Sequence, residues 1–75
     1  MITYYVVLSG NVLLKGTEVI GQMIINSGTV DVEHELETYK DFEIIKKHMW
    51  KMADFSVKRF TDEKNIHISF IQKIK

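Results

Sequence analysis

The chain has 75 residues, with 10 basic and 10 acidic side chains and neither cysteine nor proline. This length suffices for one small domain, residues 1–75, and the absence of thiols excludes disulfides, cysteine-based metal sites and a cysteine nucleophile. No apolar run is long enough to cross a membrane, and the first residues lack the basic start of a secretion signal. We therefore expect a cytoplasmic protein.

Charge is unevenly divided along the chain. Residues 1–39 carry one base and five acids, whereas residues 40–75 carry nine bases and five acids. The halves are expected either to neutralise each other across the folded sheet or to give the surface a dipole that orients a charged partner. Arg59 is the only arginine, so sequence-specific reading of nucleic-acid bases, which relies on bidentate contacts, is disfavoured.

The N-terminal segment predicts a hairpin. Residues 2–8 are mostly β-branched or aromatic, which is typical of a strand that is apolar on both faces. The sequence Ser9-Gly10-Asn11 predicts a turn, and the apolar residues 12–15 then predict a short return strand.

The next segment is ambiguous at first and regular afterwards. Residues 17–26 fit a bulged strand better than a helix, although apolar residues at helical spacing are also present over 17–25. The sequence Asn26-Ser27-Gly28 predicts a turn. In residues 30–37, acidic residues alternate with residues that are mostly apolar. This alternation predicts a strand with one buried face and one solvated face.

The second half predicts one helix followed by a hairpin. Thr38 is a predicted N-cap with Asp41 three residues later, and apolar residues recur at helical spacing from there, which indicates an amphipathic helix over about residues 39–53. Residues 55–60 and 65–74 predict a C-terminal hairpin. The predicted fold is α+β, with a small, mainly antiparallel sheet of five to six strands and one helix before that hairpin.

Candidate catalytic groups are weak. The glycines form no phosphate-binding loop, and the serines lack the surroundings of a nucleophile. The acids of residues 31–37 would be spaced by about 6.6 Å along a strand, which favours a solvated sheet face over a cation site. His34, His48 and His67 fall on three different elements. We expect neither enzymatic activity nor a bound metal, cofactor or small-molecule substrate.

The first predicted strand has more apolar surface than one helix can cover. Tyr5 and Val7 face away from Tyr4, Val6 and Leu8, and Ile71 is predicted to join Tyr5 and Val7. Because several hundred Å² of contiguous apolar surface is rarely left in water, this face must be covered. Closure of the sheet or a short helix over residues 17–25 would cover it within the chain. Otherwise a second copy or another partner would, with self-association through Tyr5, Val7 and Ile71.

The outer side of the predicted helix is the other candidate surface. It places the apolar Ile44 among cations, which is either an ordinary solvated face or a basic-rimmed contact patch for a partner. The residues of this predicted partner-binding patch are Ile44, Lys47, His48, Trp50 and Lys51.

Two functions follow from these surfaces. The leading hypothesis is a small non-enzymatic protein-interaction module, potentially homodimeric. The many isoleucines and lysines suit an AT-rich genome, and a chain this short suits an inhibitor or regulator from a mobile element. The alternative is binding of single-stranded nucleic acid without sequence preference, which the zero net charge disfavours. Its predicted contacts are an aromatic ring such as that of Tyr4, Tyr5 or Phe60 and a set of cations. These cations are Lys58, Arg59, Lys73 and Lys75.

Overall fold

The computed structural model describes residues 1–14 and 18–74. Three antiparallel strands form one sheet, in which the second and third strands of the chain flank the first, and one helix packs on one face of the sheet. The α+β class is confirmed, whereas the prediction of five to six strands is wrong, because the described residues form three. The elements are β1 (Ile2–Leu14), β2 (Glu18–Val32), α1 (Tyr39–Lys51), α2 (Phe55–Lys58), a 3-10 turn (Glu63–Asn65) and β3 (Ile66–Lys73).

Strand β1 is longer than predicted because the turn expected at residues 9–11 does not form. Gly10 is instead a buried residue inside the strand. A Cβ added at Gly10 would lie 3.2 Å from side-chain atoms of Ile25 and Thr61. The glycine here is closely approached by neighbouring side chains and does not mark a reversal of the backbone.

Strand β2 joins two segments that were predicted to be separate. The bulged strand expected over residues 17–26 is confirmed from Glu18 onward, and the register skips Ile20 and Ile25. The turn expected at residues 26–28 is wrong, since these residues pair with β1. The strand ends at Val32, five residues before the predicted end.

Helix α1 agrees with its prediction to within two residues at its C-terminal end. Its start is fixed by a capping box. The Thr38 hydroxyl accepts from the Asp41 backbone N–H at 3.4 Å, and the Asp41 carboxylate accepts from the Thr38 N–H at 3.1 Å. Ile45 and Met49 are its buried residues.

The predicted C-terminal hairpin is wrong in its first strand. Residues 55–58 form the short helix α2, because the Asp54 carboxylate accepts from the Ser56 N–H at 2.9 Å and caps a helical turn. The last strand is confirmed as β3, but it pairs with β1. The Phe60 carbonyl accepts from the Leu13 N–H at 3.0 Å, which attaches the segment after α2 to the edge of β1.

The core lies between the sheet and α1. Tyr4, Val6 and Leu8 of β1 pack with Ile45 and Met49 of α1. The alternate residues of β1 point to the opposite face, as the sequence predicted. Neither a barrel nor a helix over residues 18–25 forms, so no element within residues 1–14 and 18–74 covers that second face.

Candidate functional site

We call the sheet surface turned away from α1 the open face. Residues directly opposite each other on paired strands share a face, so the register defines its membership. The central rows of the open face are Tyr5 with Thr29 and Gln72, and Val7 with Ser27 and Phe70.

The open face is centred on two aromatic rings. Tyr5 and Phe70 stack edge to face with their ring centroids 6.3 Å apart, and their exposed fractions are 37% and 49%. Val7 is half-buried beside them. Aromatic side chains of this kind supply large contact areas at protein interfaces.

The open face also carries little charge. Beside the apolar side chains, the two central rows contain only the neutral polar residues Ser27, Thr29 and Gln72. The next row along contains Asp31, whose carboxylate accepts from the Thr3 hydroxyl at 2.6 Å. Depletion of charge around aromatic residues distinguishes the centre of a protein interface from ordinary surface.

The prediction that Ile71 lies on the open face is wrong. The register between β1 and β3 skips Ser69, whose hydroxyl lies 2.8 Å from that of Ser9. This bulge reverses the alternation of β3 beyond that point. Ile71 therefore faces the core opposite Val6, and Phe70 takes the outward position. Nothing in the side-chain pattern signals the bulge, which is why the sequence missed Phe70.

On the other side of the sheet, a groove runs between α1 and the outer edge of β2. We call it the edge groove. Ile44, which is 66% exposed, and His48 form its helical wall, and Val30 and Val32 lie on the strand side. Its volume is about 260 Å³, and a smaller depression lined by Leu36 adjoins it at Ile44.

The other residues of the predicted partner-binding patch have different neighbours. Lys47 lines a depression beside α1 together with Glu63 and Lys64. Trp50 is half-buried, and the Lys58 ammonium lies 5.3 Å from its ring centroid. The exposed Lys51 offers its backbone carbonyl to the same ammonium at 3.4 Å. Three and four residues separate the exposed members along α1, so they share the outer face of the helix: Ile44, Lys47, His48 and Lys51.

Charged groups cluster in the loop between β2 and α1. Lys73 forms an ion pair with Glu35, which lowers the pKa of Glu35 and raises the pKa of Lys73. Hydrogen bonds from the backbone of Glu37 and Thr38 lower the pKa of Asp41. These exposed interactions hold the loop in place.

His34 belongs to the same loop. Its Nδ1 lies 2.9 Å from the Glu35 carbonyl oxygen. This hydrogen bond and the nearby Asp41 carboxylate raise the pKa of His34. The folded loop thus favours the protonated form of the His34 ring.

The residues proposed for nucleic acid are not brought together. Tyr4 is buried and its hydroxyl accepts from the Leu36 N–H, so its expected role as a stacking platform is wrong. Lys73 pairs with Tyr4 near one end of β1. The chain that follows Lys58 and Arg59 bonds to Leu13 near the other end. At the rise of a strand, Tyr4 and Leu13 are about 30 Å apart. Lys75 lies outside the described residues.

Two other features are absent from the described residues. The described ranges, 1–14 and 18–74, contain no cluster of three or more residues suited to holding a metal ion. Within the same ranges, no helix has both the length and the apolar character needed to span a bilayer.

No known protein family, curated protein or solved structure matches the chain. The open face and the edge groove are therefore the features of the molecule that bear on its function.

Proposed function

We propose that the protein is a non-enzymatic interaction module that binds a protein partner through the open face. The observation that carries this proposal is the exposed Tyr5–Phe70 pair in charge-poor surroundings, which no described element covers. Surfaces that combine apolar anchors with a neutral polar surround are typical of protein interfaces.

The dimensions of the molecule support this proposal. The chain extends over 41 × 22 × 17 Å, so its broad side is comparable with the roughly 800 Å² that each partner buries in a standard interface. Aromatic anchors near the centre of such a patch carry most of the binding free energy. Tyr5 and Phe70 occupy that position on the open face.

A domain of this size acts by occupying a surface of its partner. Docking of the open face would cover a site that the partner uses for something else, which is the action of a small inhibitor or regulator. This mode of action requires no catalytic group of the protein's own.

The test is affinity capture from a lysate of the cells that produce the protein, with wild type, Phe70→Glu and Phe55→Glu compared. Phe55 is 80% exposed on α2, so Phe55→Glu is a matched control that makes the same change away from the open face. We expect wild type and Phe55→Glu to capture the same protein and Phe70→Glu to lose it. Equal capture by all three forms would contradict the proposal.

Salt dependence separates this function from single-stranded nucleic-acid binding. Binding through phosphates weakens steeply as salt rises, because it releases counterions, whereas an apolar interface responds little. We expect the captured species to be a protein that remains bound at high salt. Capture of nucleic acid that is lost at high salt would overturn the proposal.

A further inference from the structure

The outer edge of β2 is the longest free edge of the sheet. The strand order β2-β1-β3 leaves β2 paired on one side only along its 15 residues, and no other described strand lies beside it. Free edges are usually protected from pairing with other chains by lysine, proline or β-bulges. β2 contains no lysine or proline, and its only charged residues are Glu18 and Asp31. Both of its bulges precede Asn26, so the segment from Asn26 to Val32 is regular.

The register shows which backbone groups of β2 are unpaired. The Thr3 carbonyl accepts from the Ile74 N–H at 2.9 Å, and the Val7 carbonyl accepts from the Ser69 hydroxyl at 3.3 Å. The odd-numbered residues of this part of β1 thus direct their backbone groups toward β3. Because backbone direction alternates along a strand, Tyr4 and the other even-numbered residues bond to β2.

The partners of those even-numbered residues are Val30, Gly28 and Asn26. The residues between and beside them, Ser27, Thr29 and Asp31, must then direct their N–H and C=O groups outward. This gives three consecutive outward-facing positions in the regular part of β2, between the bulge at Ile25 and the end of the strand. An extended backbone is the ligand that satisfies such a row.

We propose that this edge pairs with the β2 edge of a second copy of the chain, antiparallel and centred on Thr29. In that register Thr29 lies opposite Thr29 of the second copy, and Ser27 lies opposite its Asp31. All three outward positions of both copies are then paired, and the two sheets become one continuous sheet of six strands. The side chains of Ser27, Thr29 and Asp31 lie at the margin of the open face, but the pairing uses the backbone edge of β2 and leaves the Tyr5–Phe70 pair free. The proposal therefore does not rest on the proposed function.

The side chains next to this edge are self-complementary. The same register puts Val30 opposite Gly28 of the second copy. A Cβ added at Gly28 would have no atom within 4 Å, so there is open space to receive the valine. The second copy's strand would also lie along the mouth of the edge groove and cover the exposed Ile44.

The charges permit the same arrangement. Asp31 would face the Ser27 hydroxyl of the second copy, and at the centre the neutral Thr29 side chains would face each other. No two like charges are opposite each other in the paired segment, and like charges at such positions would be destabilising. A second copy therefore fits this edge without a compensating change.

Residue 29 provides the test, because it lies opposite residue 29 of the second copy only in the proposed register. Thr29 is exposed, so Thr29→Lys and Thr29→Glu are expected to fold normally, as circular dichroism would verify. Each variant alone places like charges opposite each other, and we expect its dimer dissociation constant to rise by at least about tenfold. An equal mixture of the two should restore the dimer, because Lys then faces Glu.

Sedimentation equilibrium from micromolar to millimolar concentration is the measurement. Wild type is expected to approach twice the monomer mass of 8.8 kDa. A wild-type protein that stays monomeric throughout, or a mixture of variants that stays monomeric while wild type dimerises, would overturn the proposal.

Two further variants separate this edge from other dimer interfaces. Ser27→Lys would face Asp31 of the second copy and should tighten the dimer by about two- to fivefold for each of the two symmetric pairs at low salt. Phe70→Glu, on the open face, should leave the dimer unchanged. Dissociation by Phe70→Glu with no effect of Thr29→Lys would assign self-association to the open face and overturn the edge-paired arrangement.

Discussion

The hydroxyl of Tyr4 accepts a hydrogen bond from the backbone N–H of Leu36 at 3.2 Å. This bond connects the central strand to the loop that leads into α1, and Tyr4 is only 8% exposed. A core residue thus also fixes the position of the loop that carries His34 and Glu35.

Removal of that hydroxyl should destabilise the protein. Tyr4→Phe leaves the Leu36 N–H without its acceptor in a poorly hydrated place, and we expect the free energy of unfolding to fall by about 1–3 kcal/mol. Urea unfolding followed by circular dichroism would measure the change. Tyr5→Phe is the matched control on the open face and should change stability by less than about 0.5 kcal/mol. Equal effects of both substitutions would contradict this account of Tyr4.

The glycines of the two long strands should respond differently to alanine. Gly10→Ala brings a methyl group to 3.2 Å from Ile25 and Thr61, and we expect a loss of about 1–3 kcal/mol from overpacking. At Gly21 an added Cβ meets nothing within 4 Å. Gly21→Ala should be neutral or stabilise the protein by up to about 1 kcal/mol, because the unfolded chain loses freedom. Thermal unfolding of both variants is the measurement. A Gly10→Ala protein as stable as wild type would show that Ile25 and Thr61 do not restrict the side chain at this position.

Ile44 and Ile45 are neighbours with opposite environments. Ile45 is 1% exposed and Ile44 is 66% exposed. Ile45→Ala should reduce the free energy of unfolding by about 2–5 kcal/mol through the lost burial and the cavity that remains. Ile44→Ala should reduce it by less than about 0.5 kcal/mol. Chemical denaturation of the two variants compares them directly, and a reversed order would mean that α1 presents a different face to the sheet.

Stability should depend on pH through His34. The hydrogen bond to the Glu35 carbonyl and the Asp41 carboxylate raise the pKa of His34 above its ordinary value of 6.5. A raised pKa in the folded state means that the protonated form favours folding. The contribution of protonated His34 to the free energy of unfolding is present in full below pH 6.5 and is lost as the pH rises through the folded-state pKa.

An NMR titration of the His34 ring is expected to give a midpoint above 6.5. The stability difference between wild type and His34→Gln should be larger on the acidic side of that midpoint than on the alkaline side. A midpoint at or below 6.5 would refute the interaction with Glu35 and Asp41.

The sequence was most informative where one local signal determined one element. Thr38 and Asp41 located the start of α1, because a capping box acts within four residues. The sequence was misleading at Gly10 and Gly28, which were interpreted as turn residues although both lie inside strands. A glycine that neighbouring side chains approach closely, such as Gly10, looks the same in the sequence as a glycine that a turn requires.

The candidate site was predicted in part for the same reason. Tyr5 and Val7 were placed on the correct face because they alternate with Tyr4 and Val6 along an uninterrupted strand. Phe70 was missed because the face of a β3 residue depends on the pairing of β3 with β1, which no local pattern encodes.

The bulge at Ser69 has a consequence for how this surface can change. Without this extra residue β3 would alternate regularly from Ile68 onward, and Phe70 and Ile71 would keep the faces that they have now. A pairing that kept Ser69 but lost the bulge would instead turn Phe70 inward and Ile71 toward solvent, with every amino acid unchanged. The aromatic character of the exposed side of the sheet thus depends on backbone pairing as much as on composition.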